Sequence, residues 1–354
     1  MTTPSPAEKI ESDIFSLKTR LGWLQDNARL NSVRDALEDF DTLARGLPGR
    51  IQSLRERGYA FEKDLEPRAT DFADQWAKLQ PSVTAAANQQ AALLQNAMRP
   101  LEMQMSQLAT VKTNVAAARP LLASLEAGME TMEDKVKAAE RQIVGMYDAF
   151  RSQVGSLDSH VDQLEWLYSQ LAEAKFTLLP TESGIMAVKA VWCPDVKENK
   201  DDPEGVLYLT DQRLIFEQKE EIATKKILFI TTAKEKVQAL KWEAPVALIE
   251  ESKASKQGLL KNEDHLDLRF GEGAPLETIH LHIWQEGNEW VQLLNRAKSK
   301  EFDKSRAIAI DQAEVEKVKS APSQCPSCGA NITQVVLRGT DSLKCEYCGY
   351  VIRL

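Results

Sequence analysis

The feature that most limits what this chain can fold into is a change of hydrophobic period at Leu178-Leu179-Pro180. Before it, from about residue 8 to 178, apolar residues recur at steps of three and four in a background rich in Ala, Leu, Glu, Gln, Lys and Arg, the pattern of amphipathic helices. After it, from Gly184 to about Ile283, short β-rich runs alternate with turn signals. Two architectures therefore follow one another, and a multidomain α+β protein is expected.

The helical part begins with a stripe of Ile10, Ile14, Leu17, Leu21 and Leu24 after a disordered N-terminus, residues 1–7. A second stripe runs from Val33, Leu37 and Phe40 to Leu47, and Ile51, Leu54, Phe61 and Leu65 form a third. Proline disrupts a helix interior, so breaks are expected near 48, 67 and 120. The longest pattern runs from Leu122 through Leu125, Met129, Met132, Val136, Ala139 and Ile143, then Tyr147 to Leu171. Its two successive steps of four, Ala139 to Ile143 to Tyr147, form a stutter that unwinds a coiled-coil seam. Such a stripe must face another helix. Residues 8–179 therefore read as a helical bundle or coiled coil, packed either within one chain or against a second copy as a homo-oligomer. Met98, Met103, Met105, Met129 and Met132 read as core. No known family is suggested by this region.

The expected strands are Met186–Trp192, Gly205–Thr210, one beginning at Arg213–Phe216, Lys226–Thr231, Pro245–Glu250, Leu266–Phe270 and Thr278–Ile283. Past Gly287, residues Trp290, Leu293, Leu294 and Ala297 give a helix one apolar face to lay on a sheet. Thr210-Asp211-Gln212 makes a tight turn, and Leu207, Leu209, Leu214 and Phe216 point alternately inward from its two strands. Arg213 is placed to hold the turn's acceptors. The segment from Gly205 to Phe216, GVLYLTDQRLIF, resembles the signature hairpin of the GRAM branch of pleckstrin-homology-like (PH-like) domains, and seven strands closed by one helix is that class's order. The resemblance covers residues 184–299 and implies a PH-like β-barrel or sandwich with a C-terminal helix.

The resemblance also implies phosphoinositide, peptide or protein ligands. Inositide binders place several Lys/Arg between the first two strands, whereas the corresponding segment here, Asp195 to Glu204, has five acidic residues against two lysines. Specific inositide binding is disfavoured. Lys253, Lys256 and Lys261 form a looser basic loop that could touch an anionic inner membrane surface, with simple solvation as the blander reading.

Cys325-Pro-Ser-Cys328 and Cys345-Glu-Tyr-Cys348 end the chain as two CxxC pairs separated by sixteen residues. Each tight turn can aim two sulfurs inward, and a short hairpin can bring the turns together around one tetrahedral ion. Gly329 and Gly349 suit the positive-φ position of each knuckle. Ile332–Leu337 alternates like a strand, Gly339-Thr340-Asp341 can turn, and Tyr350–Ile352 supplies a last apolar segment. Residues 325–354 resemble a zinc ribbon, with Cys325, Cys328, Cys345 and Cys348 as ligands of one structural Zn2+. A rubredoxin-like iron centre, two disulfides or unligated thiols are the alternatives. Four thiolates leave no open position for a catalytic water. Residues 300–324 read as a charged helical linker and a flexible tether for the ribbon.

With a formal net charge of −9 and 27% charged residues, the 354-residue chain reads as acidic and soluble, without the basic face a duplex binder needs. Its N-terminus lacks a basic n-region and an apolar h-region, so cytoplasmic localisation is expected, possible contact with the membrane's inner face included. Cys193 reads as a half-buried strand-end thiol. His280 and His282 share a strand face and His265 could sit beside them, but no acidic or cysteine ligand accompanies them at a recognisable spacing, so they read as structural or surface residues. His160 reads as solvent-facing and Glu250-Glu251 as solvated. No phosphate loop, nucleophile elbow or HExxH motif is present. The expectation is a non-catalytic adaptor or scaffold, with nucleic-acid binding through the ribbon as its rival.

Overall fold

The computed structural model describes residues 5–195, 198–227, 230–258, 260 and 262–354. It divides into two compact units, Met1–Pro48 with Pro67–Asp158 and Gly49–Glu66 with Ser159–Leu354. Helices α1 (Pro6–Asn27), α2 (Asn31–Glu56), α3 (Leu65–Val111), α4 (Val115–Gly145) and α5 (Asp148–Glu173) account for the helical sequence. α1 starts inside the segment expected to be disordered. The Ser5 hydroxyl accepts from the Glu8 N–H while the Ser5 N–H donates to the Glu8 carboxylate, a capping box that closes the first turn.

Proline marks fewer breaks than expected. Pro48 lies inside an unbroken α2, because Leu47, Ile51 and Leu54 on either side are all buried. Burying each leucine or isoleucine is worth roughly 1.5–3 kcal/mol, enough together to outweigh the ~3 kcal/mol cost of an interior proline. Pro67 sits in the first turn of α3, where its missing N–H costs nothing. Pro120 lies within α4, and the break precedes it at residues 112–114, where the Asn114 side chain accepts from the Ala117 N–H at 3.2 Å. The stutter is resolved by ending one helix at Gly145 and starting the next at Asp148.

In the first unit the long stripe is covered by helices of the same chain. Leu125, Met129 and Ile143 are fully buried on α4, and Arg20 on α1 reaches Glu133 at 2.7 Å. Gly128 lets α3 come close, since a Cβ there would stand 2.6 Å from a Leu101 methyl. Trp76 anchors the aromatic cluster with Phe40 at 4.7 Å and Tyr147 at 5.7 Å, its indole N–H donating to Asp41 at 2.9 Å. Met98, Met105, Met129 and Met132 are core as expected, whereas Met103 is exposed.

In the second unit Arg55 clamps the turn that follows α2. Its guanidinium donates to the carbonyls of Tyr59, Phe61 and Glu62 and to both Glu66 oxygens, at 2.5 and 2.9 Å. Arg55→Ala is expected to cost about 1–3 kcal/mol in denaturant unfolding by orphaning these acceptors. The arginine's hydrogen bond also holds the Glu66 carboxyl below the usual range. That contribution is complete above the unfolded glutamate pKa of about 4.3 and is lost as pH falls through the lower folded value. An unfolding series from pH 6 to about 3 should therefore lose this increment, and Arg55→Ala should not.

The sheet of this unit contains β1 (Gly184–Trp192), β2 (Glu204–Thr210), β3 (Arg213–Ile227), β4 (Ile230–Pro245), β5 (Ile249–Gln257), β6 (Glu263–Phe270) and β7 (Thr278–Ile283), followed by α6 (Gly287–Lys298). The seven strands are antiparallel in the order β4-β3-β2-β1-β7-β6-β5. A barrel or sandwich was expected; among the described residues β4 and β5 are edges that do not pair with each other, so no barrel closes and the sheet is open. α6 lays Trp290, Leu294 and Ala297 over β5.

The edges explain the misread strands. Expected strand Lys226–Thr231 falls on the tip of the β3–β4 hairpin, with Leu228 and Phe229 outside the described residues. Pro245–Glu250 is a junction containing a 3-10 turn, Val246–Leu248. Lys253 and Lys256 lie on β5 instead of a loop, and Lys261 is outside the described residues. Edge strands carry charge that discourages further pairing, and that charge hides their alternation.

Beyond α6 come a 3-10 turn (Glu301–Ser305), α7 (Gln312–Ser320), β8 (Ser342–Lys344) and β9 (Val351–Arg353). The expected strand at Ile332–Leu337 is absent. Asn331, just before it, forms an isolated bridge with Gln324, and the Ile332 N–H donates to the Ser323 carbonyl at 2.9 Å.

Candidate metal centre

Two near-identical knuckles build the cysteine site. In the first, the Cys325 N–H donates to the Ala330 carbonyl and the Gly329 N–H to the Cys325 carbonyl, both at 2.8 Å. In the second, the Cys345 N–H donates to the Tyr350 carbonyl at 2.9 Å and the Gly349 N–H to the Cys345 carbonyl at 2.8 Å. Gly329 and Gly349 have φ of 75° and 73°, a conformation that only glycine enters without strain. Each turn thus brings its two sulfurs to one side.

The four sulfurs lie within 4.8 Å of one another, with Cys325 to Cys348 at 3.7 Å and Cys328 to Cys345 at 3.8 Å. A disulfide needs about 2.05 Å. Tetrahedral zinc at ~2.3 Å from each thiolate places sulfurs ~3.8 Å apart. The donor set and its spacing therefore fit a four-thiolate ion, held by Cys325, Cys328, Cys345 and Cys348. Such an ion would cross-link the knuckles, and four thiolates would leave it no open position. Apart from cysteine, the ribbon's buried apolar side chains are Leu343 and Ile352, too few to hold it by packing alone.

The start of the linker that precedes the expected tether is bound to the segment after α2. Phe302 packs on Phe61 at 5.7 Å, the Lys63 N–H donates to the Ser305 carbonyl at 2.9 Å, and the Ala307 N–H donates to the Ala60 carbonyl at 2.8 Å. The ribbon itself is attached to the β2–β3 turn. Asp211 accepts from both Arg306 and Arg338. The Gln212 side chain exchanges hydrogen bonds with the Arg338 backbone at 2.6 and 3.1 Å, and the Gly339 N–H donates to Glu314 of α7 at 3.0 Å.

The same turn rests on a buried ion pair that sequence reading missed. Arg213 does not hold the turn's acceptors. Its guanidinium grips Glu182 at 2.6 and 3.0 Å, Glu243 at 2.6 Å and the Thr177 carbonyl at 2.9 Å. The turn's own N–H groups at Gln212 and Arg213 donate to the Thr210 hydroxyl at 3.0 and 2.7 Å. Leu207, Leu209, Leu214 and Phe216 are buried as expected, but so are Val206, Tyr208 and Ile215 on the other face, where Phe176 packs on Tyr208 at 5.1 Å.

Among the histidines, His160 differs from its expected solvent-facing position. His160 is part-buried, 2.7 Å from a Glu62 oxygen. His265 and His280 are buried side by side, and Glu198, from the acidic segment between β1 and β2, reaches His282 at 2.8 Å. Burial, with His282 and His280 beside it, lowers the His265 pKa and favours its neutral form. Cys193 is fully buried, and burial together with Asp202 and Glu198 pushes its thiol up to about 12, which favours the thiol over the thiolate.

No protein-family description and no curated protein matches the chain. Solved structures with partial likeness include the DH/PH domains of PDZ-RhoGEF in complex with GTP-γ-S-activated RhoA, at 12% identity over 78% of this chain and 95% of that one, with a TM-score of 0.25. The DH/PH domains of p115-RhoGEF match at 11% identity over 84% and 95%, with a TM-score of 0.24. Likeness at this level says nothing of what this chain binds.

Proposed function

We propose that this protein is a non-catalytic adaptor in which a zinc-stapled ribbon presents an aromatic tip to a protein partner. One observation carries the reading: Tyr347, inside the second knuckle, is 76% exposed, beside exposed Tyr350 and Val351. Tyrosine is enriched where proteins meet because one end of the ring is apolar and the other polar. Zinc is the ion proposed for the four thiolates. The sheet domain is proposed as a GRAM- or PH-like docking module on the strength of its hairpin, its two meanders and its closing helix.

Affinity purification followed by mass spectrometry tests this with three baits. Wild type should capture a partner that Tyr347→Ala weakens by at least tenfold, about 1.4 kcal/mol, while its zinc content stays unchanged. Cys345→Ser should abolish capture. A partner held equally by all three baits would refute the ribbon's role.

The rival reading, nucleic-acid binding, draws on few charges. Of the two basic residues between Cys328 and Cys345, Arg338 is already engaged by Asp211, leaving Lys344. Membrane contact is similarly weakened, because Lys253 pairs with Glu251 at 2.8 Å and Lys256 with Asp264 at 2.7 Å and Glu286 at 3.0 Å. No helix among the described residues is long and apolar enough to cross a membrane. Cytoplasmic residence is part of the proposal. The helical bundle is proposed as a rigid support, since its stripe is already covered by its own chain. Light scattering should then give a monomer, and a stable dimer would return the bundle to an assembly role.

A further inference from the structure

We propose that Glu198, His265 and His282 form a second metal site, independent of the four cysteines, for a divalent transition cation of the zinc type. The pairing of β6 with β7 sets His265 opposite His282 and Asp267 opposite His280. Positions two apart on a strand share a face, so one patch of sheet carries three imidazoles and a carboxylate. Glu198 comes in from the β1–β2 connection. One ring nitrogen of His265, one of His282 and a Glu198 oxygen lie within 4.8 Å of one another.

The hydrogen bonds behind this patch decide which nitrogen is available. Asp267 can only accept, so His280 Nδ1 donates to it at 2.6 Å. In neutral His280 the other nitrogen, Nε2, then carries a lone pair. It lies 3.0 Å from His265 Nδ1, which donates to it. With His265 and His280 in these tautomers, His265 Nε2 is left with a lone pair, and a Glu263 carboxylate oxygen stands 3.9 Å from it. That nitrogen is buried with no hydrogen-bond partner among the described residues, and the His265 residue is 2% exposed. Burying an unpartnered acceptor costs about 1–3 kcal/mol, a cost that a bound cation removes. A carboxylate–histidine relay that fixes the tautomer of a ligating imidazole is the usual support behind a metal-bound histidine.

The donor chemistry selects the ion. Two imidazoles and one carboxylate suit zinc and its first-row neighbours, whereas calcium and magnesium prefer oxygen ligands throughout. Zinc bonds of ~2.0–2.2 Å require the donors to draw together from separations of up to 4.8 Å. Three protein ligands leave a position for water or an external ligand, unlike the closed cysteine site. The acidic β1–β2 segment thus acquires a role: carboxylates that discourage a phosphoinositide favour a cation.

Metal content and calorimetric zinc titration of the full chain test the proposal. The four-thiolate site fills first, and wild type should then take up a second zinc. His282→Ala and Glu198→Gln should each weaken that second event by at least about 10–100-fold, the loss seen even when an outer partner is removed, with the thiolate-bound ion retained. Cobalt separates the sites by spectrum. Thiolate-to-cobalt charge transfer reports the cysteines, and added ligand-field absorption without more charge transfer reports the histidines. Glu198 lies on a surface connection, so Glu198→Gln tests the site without threatening the fold, and circular dichroism checks His282→Ala. A wild type that saturates at one ion, or variants that bind the second as tightly as wild type, would overturn the site.

Discussion

Cys345→Ser is expected to release the ribbon's ion and unfold residues 325–354 while the seven-stranded sheet stays intact. In small metal modules the apparent zinc-binding free energy, roughly 10–16 kcal/mol, is folding free energy. This ribbon has little to replace it, since Leu343 and Ile352 are its only buried apolar side chains besides cysteine among the described residues. The sheet does not depend on it. Leu207, Leu209, Leu214, Phe216, Leu266 and Leu281 are buried within the sheet domain itself. Zinc per chain should fall, protease sites should open within 325–354, and a chelator should reproduce both effects in wild type. A metal-free protein with an unchanged digestion pattern would show that contacts at Asp211 and Gln212 hold the ribbon unaided.

Arg213→Ala should destabilise the sheet domain by about 3–5 kcal/mol, the usual consequence of removing one member of a buried ion pair. The Glu182 side chain has 0% exposure and Arg213 only 6%, so the remaining carboxylate cannot recover its hydration. Its loss also frees the Thr177 carbonyl and Glu243. Replacing both partners together, Arg213→Met with Glu182→Leu, should cost much less, because no buried charge is stranded. Denaturant unfolding of the two variants makes the comparison. Equal losses would mean that the pair contributes through packing rather than charge.

How much was legible follows from the range over which each pattern acts. The helices were visible because a step of three or four repeats within one turn, and β1, β2, β6 and β7 because their apolar residues face a covered sheet. The charged edges β4 and β5 were not, since their ladders depend on a neighbour and their side chains report solvent. The proline breaks at 48 and 120 failed for a related reason: local propensity is worth a few kcal/mol, and a buried stripe can exceed it.

The same distinction governs the sites. By itself the sequence determined the cysteine tetrahedron, because two residues between cysteines and a glycine after each pair specify a knuckle through local backbone geometry alone. Only the tertiary structure decided that Asp211 would join Arg306 to Arg338, that Glu182 would meet Arg213, and that Glu198 would reach His282 across 84 positions. Those meetings depend on strand order and register, which juxtapose groups that no short spacing relates. Burial then gives them their strength, since a charge or lone pair removed from water must find its partner within the fold.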